Sequence, residues 1–125
     1  MGDERAEYIL PLRDLIDAGI HVSLATDNVP PTLFAPIGHA VSRLTDVGAV
    51  LGPGQCITRK EALAGASREG AWLSFEEDQK GTIEVGKLAD LTVLSDDLLE
   101  IDAARIPDII SQLTITGGKI VHEYA

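Results

Sequence analysis

The sequence predicts an α/β fold whose two halves differ in character, and three patterns support this prediction. A helical pattern stops at Gly19 and a short apolar strand follows at once, which is the order of a parallel α/β unit. Further helical patterns continue as far as residue 72, and from residue 76 the chain changes to short strands and turns. We therefore expect two structural units, one over residues 1–75 and one over residues 76–125.

In the first half, apolar side chains recur at the spacing of one helical face and predict three helices. These helices are expected over residues 3–18, 33–46 and 59–72. The third opens with a capping box, in which the Thr58 hydroxyl caps the first turn and Glu61 reaches back to the amide of Thr58. Gly65 and Gly70 suggest that this helix packs closely against another element, and Trp72 is expected to anchor it in the core.

In the second half, four short β-patterns are bounded by turn residues. Strands are expected over residues 82–85, 91–94, 113–116 and 119–122. Gly117 and Gly118 between the last two predict a two-residue hairpin turn. Residues 81–88 match the spacing of a phosphate-binding loop, but Leu88 stands where such a loop needs Ser or Thr, and a strand follows instead of a helix. We therefore reject nucleotide binding.

The leading candidate for a functional residue is Asp27, at the end of a strand predicted over residues 20–26. Pro30 and Pro31 cannot continue a strand, so it must end near Asp27. Enzymes of the α/β class place catalytic groups at the carboxyl ends of buried parallel strands. A structural alternative remains open, in which the carboxylate only bonds the amides of the turn at residues 28–30.

The other candidate ligands and nucleophiles form no recognisable constellation. The three histidines, His21, His39 and His122, lack the spacing of a metal-binding pair, and the sequence assigns them no role. Cys56 is the only cysteine, which excludes a disulfide within the chain, and no His lies near it in sequence to activate it as a nucleophile.

The amino-acid composition restricts the classes of molecule that the chain is expected to bind. The chain of 125 residues carries 20 acidic and 10 basic residues, giving a formal net charge of -10. This balance argues against nucleic acid and anionic membranes as partners, because both need clustered Lys and Arg. No apolar run approaches membrane-spanning length, and the first residues do not read as a secretory signal. We expect a cytoplasmic protein.

Five stretches of the chain carry the pattern of a known family. Residues 11–20 and 25–30 stand on either side of the predicted strand that leads to Asp27, and residues 58–63 open the third helix. Residues 80–94, KGTIEVGKLADLTVL, form the most specific stretch, and residues 114–121 form the last. Together they resemble the C-terminal part of the metal-dependent amidohydrolases, of the amidohydrolase family 3 type.

The resemblance implies a (β/α)8 TIM barrel with a small β-sandwich built from both chain ends. Residues 20–27 would be the eighth barrel strand, and residues 76–125 the C-terminal part of the sandwich. Asp27 would bind a divalent metal, usually zinc in this family, and act as the general base for hydrolysis of a carbon–nitrogen bond in a small amide-type substrate.

The sequence also departs from the family pattern. The family's H-x-H pair, its acidic or lysine metal bridge and its two later histidines are absent, and a catalytic zinc needs about three protein ligands. We therefore expect the C-terminal fragment of a longer hydrolase, holding no metal and inactive alone. Because half a sandwich exposes strand edges, we also expect self-association. The alternative is a non-catalytic structural or self-association module in which Asp27 caps a turn.

Overall fold

The protein is described by a computed structural model covering residues 3–27, 32–45 and 47–125, where five α-helices precede a three-stranded antiparallel sheet. The helices are α1 (Asp3–Glu7), α2 (Leu12–Asp17), α3 (Phe34–Ser42), α4 (Arg59–Gly65) and α5 (Arg68–Leu73). The strands are β1 (Leu91–Leu94), β2 (Ser111–Thr116) and β3 (Lys119–Glu123). Two 3-10 helices span Pro53–Gln55 and Ala103–Asp108. None of the helices in these ranges has the length and apolar character needed to cross a membrane.

Two of the predicted helices form but are split in two. In residues 3–18, Leu10 adopts a left-handed φ of +54° and Pro11 follows, so α1 ends and α2 begins anew. In residues 59–72, Ser67 departs from helical geometry with φ −134° and ψ −83°, and this separates α4 from α5. The prediction of continuous helices was therefore wrong at both places. The capping box at the start of α4 is confirmed.

The helix predicted over residues 33–46 is shorter than expected, because Arg43 adopts a left-handed φ of +55° and ends α3 at Ser42. The buried Arg43 guanidinium donates to three backbone carbonyls of other loops. These acceptors belong to Leu51 at 2.9 Å, Leu10 at 3.2 Å and Ile9 at 2.5 Å. Tertiary hydrogen bonds therefore set this helix end.

The strand predicted over residues 20–26 is wrong. The segment has no regular secondary structure, and within the described ranges no strand pairs with it. A parallel strand exists only through hydrogen bonds to neighbouring strands, and β1, β2 and β3 pair with one another instead. The strand predicted over residues 82–85 is also wrong, since Gly81 and Gly86 turn the chain at φ +94° and +98° on either side of it.

The other three predicted strands are confirmed and form a meander in the order β1-β2-β3. Leu91 lies opposite Ile115 in the first pair of strands. Gly117 and Gly118 connect the second pair at φ +55° and +78°, and two positive φ angles are what a type I′ hairpin turn requires. The Asp90 carboxylate accepts a hydrogen bond from the Gly117 amide at 2.7 Å, which fixes the turn against the start of β1.

The hydrophobic core joins both halves of the chain. Ile37 of α3 and Ile106 of the second 3-10 helix are its largest fully buried side chains. Gly38 permits this contact, because a Cβ there would lie 2.9 Å from ring carbons of Pro107. The buried cluster comprises Leu12, Ile37, Ala40, Ile57, Ala62, Leu98, Ile106 and Ile109. The division into units at residues 1–75 and 76–125 stays a prediction.

Replacing Gly81 by Ala is expected to destabilise the protein more than the same change at Gly86. An added Cβ at Gly81 would lie 2.7 Å from Cβ of Ala71 and 3.0 Å from Cα of Arg68, whereas nothing lies within 4 Å at Gly86. Both changes introduce about 1 kcal/mol of backbone strain. Crowding adds about 1–3 kcal/mol at Gly81 alone. Urea unfolding followed by circular dichroism measures the difference, and equal losses would contradict this packing.

Candidate functional site

The segment of residues 20–27, here called the Asp27 segment, leads from α2 to the candidate residue. Two of its backbone amides donate to carbonyls of neighbouring helical turns: Ile20 to Leu15 at 3.0 Å and Leu24 to Gly65 at 2.9 Å. The Ser23 hydroxyl also donates to the Gly65 carbonyl at 3.4 Å. The C-terminal end of α4 therefore holds the middle of the segment.

Gly65 allows this close approach because it has no side chain. A Cβ at this buried position would lie 3.1 Å from both the Val22 carbonyl oxygen and the Leu24 Cγ. A Cβ at Gly70 would make an ordinary contact with the Ser23 hydroxyl at 3.7 Å. The prediction that small residues mark close packing in this region is confirmed at Gly65.

Asp27 is exposed at the end of the segment. Among the described residues, no hydrogen bond or ion pair reaches its carboxylate. The structural alternative, in which Asp27 bonds the turn amides of residues 28–30, falls outside the described residues. Nor does the described part of the chain contain a group of three or more His, Cys, Asp or Glu side chains that could hold a metal ion. Asp27 is thus an accessible single carboxylate.

A second polar cluster lies at the start of the Asp27 segment. His21 Nδ1 lies 2.5 Å from Oε2 of Glu69, and the imidazole stacks on the Trp72 indole with ring centroids 3.9 Å apart and 8° between planes. Arg68 donates from Nε and Nη2 to Oε1 of Glu69 at 2.9 and 2.7 Å. These four side chains are called the His21 cluster below.

Sequence reasoning missed this cluster. His21 and Glu69 are 48 residues apart, and no spacing rule connects them. The prediction that Trp72 is a core anchor was wrong, because its side chain is 42% exposed and covers the imidazole. His39 lies on α3 and His122 on β3, so the three histidines belong to separate elements of the fold.

Glu69 is nearly buried, with 9% of the residue exposed. Burial raises the pKa of Glu69, but hydrogen bonds from His21 and Arg68 outweigh burial and leave the pKa below its ordinary value. The group is therefore ionised at neutral pH and supplies a fixed negative charge beside the imidazole.

A bidentate ion pair between α2 and α4 stands beside the same segment. Arg13 donates from Nη1 and Nη2 to the two carboxylate oxygens of Glu61, both at 2.9 Å. Glu61 also accepts from the amide and hydroxyl of Thr58 in the capping box. These bonds, with the one from Arg13 foremost, lower the pKa of Glu61 from 4.5 to about 2.

Comparison with known proteins gives consistent results. A model of the amidohydrolase family matches residues 1–122. An N-substituted formamide deformylase from Arthrobacter pascens is 33% identical over 118 residues, which is 92% of this chain and 22% of that protein. A probable imidazolonepropionase from Nematostella vectensis is 34% identical over 116 residues, or 89% of this chain and 25% of that protein.

The fold has a solved counterpart. The crystal structure of an amidohydrolase from Thermotoga maritima MSB8 superposes with a TM-score of 0.68, at 17% identity, covering 95% of this chain and 26% of that one. This likeness concerns the fold alone. The chain thus spans 22% to 26% of the length of these similar proteins.

The Arg13–Glu61 pair is expected to make stability depend on pH in the acid range. Because the folded-state pKa of Glu61 is lowered from 4.5 to about 2, its contribution is fully present above pH 4.5 and is lost as the pH falls towards 2. Glu61→Gln retains the cap but does not titrate, so its free energy of unfolding should fall less steeply through this window. Urea unfolding at several pH values tests this, and identical slopes would contradict it.

Proposed function

Because the chain belongs to the amidohydrolase family, we propose that it is the C-terminal portion of a metal-dependent hydrolase that cleaves carbon–nitrogen bonds outside peptides. The observation that carries the proposal is the family match over residues 1–122 in a chain that spans 22% to 25% of its relatives' length. The names of those relatives, a formamide deformylase and an imidazolonepropionase, support a small substrate of the amide type.

In this proposal, the Asp27 segment is the last strand of a (β/α)8 barrel, and residues 76–125 contribute to a small β-sandwich. Two observations support the assignment. The segment ends at an exposed carboxylate and rests on α4, which leaves it able to pair with strands from the rest of a longer protein. The antiparallel arrangement of β1, β2 and β3 is the kind from which sandwiches are built.

We assign to Asp27 the roles of metal ligand and general base in the longer protein. A general base needs a carboxylate that is free to accept a proton, and no described cation pairs with Asp27. The described residues alone do not fit a catalytic metal, because zinc takes about three protein ligands and this segment offers one carboxylate. The remaining ligands would come from elsewhere in the longer protein, and the isolated chain would be inactive.

A second candidate function is a non-catalytic module that associates with itself. The observation in its favour is the exposure of β3, whose five residues are all exposed and which forms one edge of the sheet. Ile120 and Val121 are 61% and 62% exposed, and Tyr124 beyond the strand is 61% exposed. An exposed apolar edge strand is a template for pairing with another chain.

The catalytic assignment predicts a specific pattern of metal binding and activity. The purified chain should retain no stoichiometric zinc in elemental analysis. In a longer protein that includes the upstream reading frame, Asp27→Asn should lower kcat by about 10²–10⁴-fold, the usual contribution of a general base. Asp78→Asn, a matched change at another exposed aspartate, should leave kcat unchanged.

Two results would contradict this assignment. The first is one zinc per chain bound equally by the unmodified chain and by Asp27→Asn, which would place the metal elsewhere. The second is an authentic start site with no upstream frame encoding H-x-H and later histidines, which would favour the non-catalytic module.

Self-association through β3 is tested by light scattering at micromolar concentration. The chain should scatter as dimers or larger species, and Val121→Lys should shift it towards the monomer because a charged side chain blocks edge pairing. A matched Val85→Lys change, in the exposed turn outside the sheet, should have no such effect. A clean monomer of the unmodified chain would contradict the prediction.

A further inference from the structure

The His21 cluster has a feature that the proposed catalytic role of Asp27 does not use: a half-exposed imidazole in contact with both a carboxylate and an indole face. His21 belongs to the Asp27 segment, whereas Glu69 and Trp72 both belong to α5. We propose that His21 is a pH-sensitive tie between the Asp27 segment and α5, tighter when the imidazole carries a proton.

Both partners of the imidazole offer contacts that are favourable to a cation. The Glu69 carboxylate lies 2.5 Å from Nδ1, so protonation adds an ion pair to the hydrogen bond that the neutral ring donates to this carboxylate. The Trp72 indole lies parallel to the ring with centroids 3.9 Å apart, and a cation over an indole face is attracted by the ring quadrupole. Histidine is the side chain that ordinarily changes charge between pH 5 and 8.

The surrounding charges keep the anionic partner in place. A cavity of about 220 Å³ lies beside His21, and the charged side chains on its walls are Glu61 from α4 with Arg68 and Glu69 from α5. Arg68 holds one oxygen of Glu69 with two hydrogen bonds, which leaves the other oxygen directed to His21. Glu61 is already occupied by Arg13 from α2. Glu69 is thus the carboxylate that pairs with His21 when the imidazole is protonated.

The segment makes few hydrogen bonds besides the one at His21. The others are donated by the amides of Ile20 and Leu24 and by the hydroxyl of Ser23. Val22 and Leu24 also pack against the core, whereas the contact at His21 joins the segment to α5. Any consequence for catalysis rests on the proposed role of Asp27, but the tie itself does not.

Trp72 provides a direct readout, because it is the only tryptophan of the chain. A protonated imidazole stacked on an indole quenches its fluorescence more than a neutral one. Trp72 emission is therefore expected to rise through a single one-proton transition as the pH increases from 5 to 8. His21→Gln should abolish the transition, and His122→Gln, the matched change on β3, should retain it.

Hydrogen exchange then tests whether protonation of His21 changes the protection of the backbone amides in the Asp27 segment. Mass spectrometry of a peptide covering residues 20–27 in the intact chain gives protection factors corrected for the intrinsic pH dependence of exchange. Protection should be about 2- to 5-fold higher on the acid side of the transition, as expected for the gain of a partly exposed ion pair with Glu69. Glu69→Gln removes the charge but retains a hydrogen-bonding side chain, so this ratio should fall towards one while the fluorescence transition remains.

Two outcomes would overturn the proposal. One is a Trp72 transition that survives in His21→Gln, because another group would then be titrating. The other is equal protection of residues 20–27 on both sides of the transition, because the imidazole would then titrate without holding the segment. Neither measurement involves the Asp27 carboxylate, so failure here leaves the catalytic assignment to be decided by its own test.

Discussion

The hydrogen bond from the Leu24 amide to the Gly65 carbonyl is the contact on which the arrangement of the candidate site depends. It fixes the middle of the Asp27 segment to the C-terminal end of α4 at 2.9 Å. The absence of a side chain at Gly65 favours the contact, since a Cβ would crowd the Val22 carbonyl oxygen at 3.1 Å. In a sheet, a neighbouring strand would accept this hydrogen bond. Here the acceptor is one of the carbonyls that the end of a helix leaves without a partner inside the helix.

This arrangement is consistent with the family assignment and with the length of the chain. The buried core cluster includes residues of α2, α3, α4 and the second 3-10 helix, while Val22 and Leu24 are only partly buried against it. The described packing therefore does not need the Asp27 segment to be part of a sheet. Among the described residues no strand pairs with the segment, and the chain spans 22% to 26% of the length of the similar proteins.

The charged side chains around the Asp27 segment form ion pairs, although the chain as a whole is strongly acidic. Arg13 donates to both oxygens of Glu61, which fixes the plane of that carboxylate. Arg68 donates from two nitrogens to one oxygen of Glu69, and the other oxygen faces His21. Both carboxylates line the cavity beside the start of the Asp27 segment. The ion pairs thus fix the positions of the two carboxylates at the start of the Asp27 segment.

The sequence by itself determined the features that depend on neighbouring residues. The capping box of Thr58 and Glu61 and the hairpin at Gly117 and Gly118 form as predicted, because their hydrogen bonds and φ angles are local. The family resemblance, confirmed by the match over residues 1–122, was likewise readable from contiguous stretches.

Only the tertiary structure decided the rest, since it depends on residues far apart in the chain. Leu10 and Arg43 end helices that periodicity would continue, and the ordering of Arg43 by three distant carbonyls outweighs its helical propensity. Residues 20–26 have the apolar pattern of a strand, yet a strand requires a partner, and none pairs with them in the described structure. The stack of His21 on Trp72 arises across 51 positions of sequence, from 21 to 72, because α5 folds back onto the segment. No local pattern encodes that contact.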